Sequence, residues 1–341
     1  MITSHKSVLK KILFICLLSS LIITSCLGQQ QNDFIGYQLI ERPPQDVLKG
    51  KLILSDSPEE VKTHGILYEE QVIGRGRLLF HHLNASCGNK RLVVIIRNKE
   101  DMSTTVQVLK KEVVGPTKYI VQAGQTLLEK YFNGEEKEEI VVPPYGERII
   151  FESEENSWVP HSLLTGIIDF ETNGKIEMII AAILPTENSG FISKLPYLER
   201  DRHPRGTFSV LEEYYTLHLP SFGKYYMCME QDEDWAIGKD GITQEITMNR
   251  GNYGIMYHIT IQTEADTKVQ FVPRAGVFKG VIKWEEGNLC PIERMHYFKR
   301  CKEAVDLGNL KAYETKTLSY MIPNGSAAPI WLQFEVLEES E

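Results

Sequence analysis

After residue 70, hydrophobic and polar residues alternate with a period of two through much of the chain, which predicts strands with one buried face. The clearest run is Tyr253, Ile255, Tyr257, Ile259 and Ile261, large side chains that a pleated backbone turns to one side. Phe278, Ile282 and Trp284 repeat the pattern, as do Leu318, Tyr320 and Ile322, and then Ile330, Leu332, Phe334 and Val336. Leu92–Ile96 is apolar without alternation, as suits a strand buried on both faces. Thr104–Lys110 follows the polar turn 97–101 and is its expected hairpin partner, and Arg148–Phe151 is a further strand. Gly166–Phe170 and Ile176–Leu184 flank Asn173-Gly174, a pair that predicts a second hairpin. Helical spacing is clearest within Tyr119–Phe132, where Leu127, Leu128, Tyr131 and Phe132 share a face and Asn133-Gly134 supplies a stop. A short helix is also expected within Ile292–Leu307.

Many short strands broken by Gly, Pro and Asn turns predict a mainly β protein: two β-sandwich domains, Ig-like or jelly-roll-like, with one or two short helices. The boundaries expected are a first sandwich over 46–188, a Pro-, Gly- and Asn-bearing linker over 189–205, and a second sandwich over 206–341.

Residues 1–26 have a different pattern. Lys6, Lys10 and Lys11 precede a short apolar run that ends in Ile23-Thr24-Ser25-Cys26. A basic start and a short apolar core read as a secretory signal. An aliphatic residue, two small ones and a cysteine resemble the bacterial lipobox. That resemblance implies cleavage before Cys26 and a diacylglycerol on its thiol, with 27–45 as a polar tether. The expected address is extracytoplasmic, anchored to the cell membrane by lipid.

Composition is ordinary for a folded protein, with 42% hydrophobic and 24% charged residues. Loss of Lys6, Lys10 and Lys11 with the leader takes three positive charges from a net of -9, leaving -12. Without a basic stripe, such a chain is a poor nucleic-acid binder. The six cysteines include no C-x-x-C pair, so no thiol-based metal motif is read and no cofactor is expected. Outside the cell, Cys290 and Cys301 are the first candidates for a disulfide, and buried free thiols are the alternative.

Catalytic signatures are absent: no Gly-x-Ser-x-Gly, no P-loop and no His-Glu-x-x-His. His81 and His82 are adjacent, so a strand sends them to opposite faces and they do not share a metal; no metal site is expected. His258 falls on the face opposite the isoleucines and is expected to face solvent. Asp232-Glu233-Asp234 with Asp240 lacks calcium-loop spacing and reads as an acidic loop. Ligand sites on sandwiches sit on loops at one end. The turns at 249–253, 273–276 and 323–326 are therefore the candidate ligand loops, with Arg250, Asn252, Tyr253, Arg274 and Asn324 as the side chains to watch.

Gly76–Asn84 followed by Leu92–Ile96 resembles a region of exported proteins from Bacillus-like bacteria. Arg205-Gly206-Thr207-Phe208, Asn249–Tyr253, Pro273-Arg274-Ala275-Gly276 and Pro323-Asn324-Gly325-Ser326 extend the likeness across about residues 65–337. Such proteins often carry a stalk similar to the copper amine oxidase N-terminal domain. This chain is expected to lack it, the lipid anchor serving for attachment. The resemblance implies no oxidase activity: Asn252-Tyr253 is followed by Gly254, and no His-x-His occurs. The expected function is a non-enzymatic envelope-binding module for wall glycan or a protein partner. The alternatives are a wall-polymer enzyme using paired carboxylates and a purely structural spacer.

Overall fold

A computed structural model describes residues 36–135, 137–229, 231, 234–294 and 304–338. The leader with Cys26, and Cys301, lie outside these residues. The molecule is mainly β, as the alternation requires. Among the described residues, no helix is long and apolar enough to cross a membrane.

The second half packs two sheets face to face. One runs in the order Gln38–Leu39, Gly223–Met229, Ile330–Val336, Thr267–Pro273 and Val305–Leu310. The facing layer runs Leu289–Arg294, Phe278–Trp284, Thr315–Tyr320, Met256–Gln262 and Arg205–His218. Tyr257, Ile259 and Ile261 point into the space between them, and their alternate neighbours are half-exposed. Phe271 of the first sheet meets Phe278 and Tyr320 of the second at ring-centroid distances of 5.0 and 6.3 Å. Burying one such ring is worth roughly 1.5–3 kcal/mol.

The facing layer continues into the first half. Arg205–His218 pairs antiparallel with Gln45–Ser55, which pairs parallel with Gly65–Asn84, which pairs antiparallel with Leu163–Ile183. Alternation along Gln45–Ser55 therefore feeds two cores at once. Leu52 and Leu54 join the core of the second half, while Ile53 between them joins that of the first. The segment before Arg205 lies against the first half: Ile192 and Leu198 are buried, and Leu198 N–H donates to the Ile66 carbonyl at 2.8 Å.

Neither expected hairpin of the first half forms. Leu163–Ile183 is one continuous strand, with a register shift where Val72 and Gly74 oppose it. Asn173-Gly174 serves the neighbouring strand Thr104–Thr117 instead of a turn. Asn173 Oδ1 accepts from Thr105 N–H at 2.9 Å, and a Cβ on Gly174 would stand 2.7 Å from Thr104 Oγ1. Arg91–Arg97 and Thr104–Thr117 do not pair with each other. They lie along separate stretches of Leu163–Ile183, which is long enough to hold both.

The helix Ile120–Asn133 forms as its spacing predicts, and Leu127, Leu128, Tyr131 and Phe132 enter the second half's core. It docks closely. Gln125 Nε2 donates to the Gly280 carbonyl at 3.1 Å, and a Cβ on Gly124 would meet the Asn324 carbonyl oxygen at 2.3 Å. In the region of the second expected helix, the described parts are the strands Leu289–Arg294 and Val305–Leu310. The remainder lies outside the described residues.

A buried polar knot ties the helix to both halves. Arg77, fully buried, donates from Nε to Asp169 Oδ1 at 2.6 Å and from Nη2 to Asp169 Oδ2 at 2.9 Å and Tyr131 Oη at 2.8 Å. Its Nη1 donates to the carbonyls of Leu211 and Gly254 at 3.0 and 2.9 Å. Glu212 stands 3.5 Å from Nη2 and pairs on its other side with His258. His258 is thus half-buried rather than solvent-facing, with its ring stacked on Tyr214 at 4.6 Å.

Candidate functional site

The backbone register builds a cleft at the ends of three neighbouring strands. Ser55 pairs with Phe80 in the parallel ladder, so Asp56 comes next to His81 one step further on. Arg205 pairs with Ser55 in the antiparallel ladder, so the segment that leads into Arg205 approaches the same end. Asp201 fastens the two segments that meet there. It accepts from Ser57 Oγ at 2.9 Å, from Glu59 N–H at 3.0 Å and from His203 N–H at 2.9 Å. Burial raises its pKa, but the hydrogen bonds from His203 and Ser57 outweigh it and hold the carboxyl below its ordinary range.

The opposite wall comes from the second half. Asn249–Tyr253, Arg274–Val277 and Asn324–Ala327 supply it, and they brace one another. Tyr253 Oη donates to the Ser326 carbonyl at 2.7 Å, and Ala327 N–H donates to the Val277 carbonyl at 3.0 Å. Gly276 and Gly325 have φ of 106° and 80°, which lets these turns close tightly. The cleft measures about 810 Å³, inside the roughly 300–1,000 Å³ of small-ligand sites. An adjoining groove of about 360 Å³ shares Arg202, His203, Pro204 and Arg250 with it and runs along exposed Ile237, Ile246 and Met248. Together they form an elongated trough.

Of the side chains expected on ligand loops, Arg250, Tyr253, Arg274 and Asn324 line this one cleft. Asn252 does not. It is buried, donates from Nδ2 to the Asp234 carbonyl and to Tyr257 Oη at 3.0 and 2.8 Å, and accepts from Ala236 N–H at 2.8 Å. It holds the turn that presents its neighbours. Arg274 lies over the Trp331 ring at 4.1 Å, a cation–π contact that holds it at the wall. Cys290 is a half-buried thiol, its Sγ 4.0 Å from the Leu307 carbonyl; its expected partner Cys301 lies outside the described residues. Asp234 pairs with Arg42 and Asp240 with Arg205, so neither is a loose member of an acidic loop.

The floor was not visible in the sequence. Asp56, Glu59 and His81 each direct a ligand-capable atom to one point, all within 4.8 Å of one another. Asp56 Oδ1 and His81 Nδ1 are buried and meet no hydrogen-bond partner, and the same is true of both amide atoms of Asn324. Burial, with the charges of Glu59 and Asp201 beside it, drives the Asp56 carboxyl well above its ordinary range. Burial also raises Glu59, though His203 pulls the other way. His81 is pushed down to about 3 by burial and by the neighbouring imidazoles of His82 and His203, so its ring is neutral at neutral pH. His82 faces the other way, as adjacency predicts. Its Nδ1 lies 2.9 Å from the Pro58 carbonyl and so carries the proton, leaving Nε2 to accept from Ser55 Oγ at 3.0 Å.

The cleft thus has an acidic floor with one imidazole and a cationic rim of Arg202, Arg250 and Arg274. No protein-family model matches the chain, and no curated protein matches it. Among solved structures, tripeptidyl peptidase 2 aligns at 7% identity and a TM-score of 0.18, over 89% of this chain and 24% of that one. Lac15 from a marine microbial metagenome aligns at 12% and 0.18, over 88% of this chain and 65% of that one. A Paenibacillus xanthan lyase aligns at 10% and 0.17, over 86% and 25%. This chain spans less than two thirds of each, and at these scores the likenesses carry no argument.

Proposed function

We propose that the protein is an extracytoplasmic lipoprotein, held to the membrane by acylated Cys26, that binds an anionic stretch of a cell-envelope glycan in the trough. The observation that carries this reading is the convergence of Arg202, Arg250 and Arg274 on one cleft. Guanidinium groups take carboxylates and phosphates in paired hydrogen bonds. The elongated form, with a second groove joined through Arg202 and Arg250, suits a chain segment better than a compact metabolite.

The mature protein titrated with purified wall fragments is expected to bind phosphate- or carboxylate-bearing chains and not neutral ones. Replacing Arg250 and Arg274 together with alanine should weaken binding at least about tenfold, since hydrogen bonds to charged groups contribute about 1.5–3 kcal/mol each. Equal binding of neutral chains, or binding only to an envelope protein, would overturn the glycan assignment. Acylation is tested by mass spectrometry of the membrane-extracted protein, which should find lipid on Cys26.

One observation favours a second reading, an enzyme working through paired carboxylates. Asp56 and Glu59 face each other across the floor, and both are shifted toward the protonated form. Release of reducing ends or phosphate from wall polymer, lost in Glu59→Gln, is the result that would support it.

A further inference from the structure

We propose that Asp56, Glu59 and His81 form a binding site for a divalent transition-metal ion, Zn2+ in preference to Mg2+ or Ca2+, on the floor of the cleft. Two carboxylates and one imidazole reach one point from two adjacent strand ends, with their ligand atoms within 4.8 Å of one another. Zinc–ligand bonds of 2.0–2.2 Å place tetrahedral ligands roughly 3.4 Å apart, so the ligand atoms would close in by at most about 1.4 Å on loading. Imidazole selects a transition metal over the hard cations, which prefer an all-oxygen shell.

Carboxylates gathered in a cleft are common and do not by themselves make a site. The independent observation is the state of the buried atoms. Asp56 and His81 are 6% and 2% exposed, both line the cleft, and Oδ1 of the one and Nδ1 of the other have no partner. A buried carboxylate without a counter-charge is costly, and a cation at this point supplies one. Glu59 is kept in place by His203, whose Nε2 stands 3.3 Å from Oε2. Three protein ligands leave at least one coordination position facing the cleft, toward the arginine rim, where an anionic group of the ligand could complete the shell. The cation site does not depend on which ligand the arginines take, because the metal alone can be titrated.

The test uses the mature protein, stripped with a chelator and titrated with Zn2+, Mn2+ and Mg2+ by calorimetry, with bound metal counted by mass spectrometry. The expected result is one Zn2+ per chain, weaker Mn2+ and no measurable Mg2+. Asp56→Asn and His81→Ala should each weaken Zn2+ at least about tenfold, and Cys87→Ser, at an exposed residue outside the cleft lining, should leave it unchanged. Glu59→Gln changes a half-exposed residue and serves as the variant least able to disturb folding, which circular dichroism confirms for each. No Zn2+ uptake by wild type, or uptake that survives both Asp56→Asn and Glu59→Gln, would overturn the site.

Discussion

Two buried polar clusters in this molecule are built in opposite ways. Around Arg77, every guanidinium hydrogen is matched: Asp169 takes two, Tyr131 one, and two backbone carbonyls the rest. In the cleft, Asp56 and His81 on the floor and Asn324 on the facing wall are also buried, yet each keeps a polar atom without a partner. A charge taken from water costs several kcal/mol unless hydrogen bonds and an opposite charge replace the lost hydration. Arg77 meets that condition within the fold, by gripping a strand of the first half, the helix and a strand of the second half. The floor does not, and the proposed cation would supply what it lacks. Buried polarity alone therefore does not mark a site; unmatched buried atoms gathered at one cleft do.

Substitutions should separate the two clusters. The largest effect is expected for Arg77→Met, which leaves Asp169 buried without its counter-charge and should cost roughly 3–5 kcal/mol in chemical denaturation. A loss below 1 kcal/mol would mean that the knot does not hold the halves together. Next is Gly124→Ala, whose new Cβ meets the Asn324 carbonyl oxygen at 2.3 Å. Overpacking of this kind costs about 1–3 kcal/mol. It should also displace the 323–326 turn and weaken ligand binding, whereas Arg77 variants that stay folded should bind normally.

A smaller, pH-dependent effect distinguishes the clusters by sign. Against the upward pull of burial, hydrogen bonds from His258 and Tyr214 and the charge of Arg77 hold Glu212 down at about 2, below its ordinary 4.5. A depressed acid stabilises the fold above the unfolded value, and that stability is lost as pH falls from about 4.5 toward 2. Glu212→Gln should flatten the stability profile in that window. Asp56 is shifted upward instead, so its fold prefers the proton and stability falls as pH rises above 3.8. An unchanged acid limb in Glu212→Gln would contradict the assignment.

Part of this was legible locally. The alternation at 257–261 and the helical face of Leu127, Leu128, Tyr131 and Phe132 were plain, because each depends on neighbours a few residues away, whereas Tyr253 and Ile255, expected on the same strand, stand in the turn before it. The three turns were legible for the same reason, and Arg250, Arg274 and Asn324 do meet in one cleft. Which way a turn residue points was not: Asn252 differs from Arg250 only in being claimed by Asp234, Tyr257 and Ala236. The floor was illegible because residues 56, 59 and 81 meet through a parallel register that no local pattern records. Asn173-Gly174 misled for a related reason. Its turn chemistry is real, but a neighbouring strand uses it as a bulge contact.

The most direct test of the account is the unfolding free energy of Asp56→Asn beside wild type across pH, without metal or ligand. If the floor carries an unmatched acid, the variant should be more stable by roughly 0.5–2 kcal/mol at pH 8, with the advantage vanishing as pH approaches 3.8, where the unfolded acid also takes its proton. A variant less stable than wild type at every pH would show that Asp56 is matched within the fold and that the floor is structural, like the knot around Arg77.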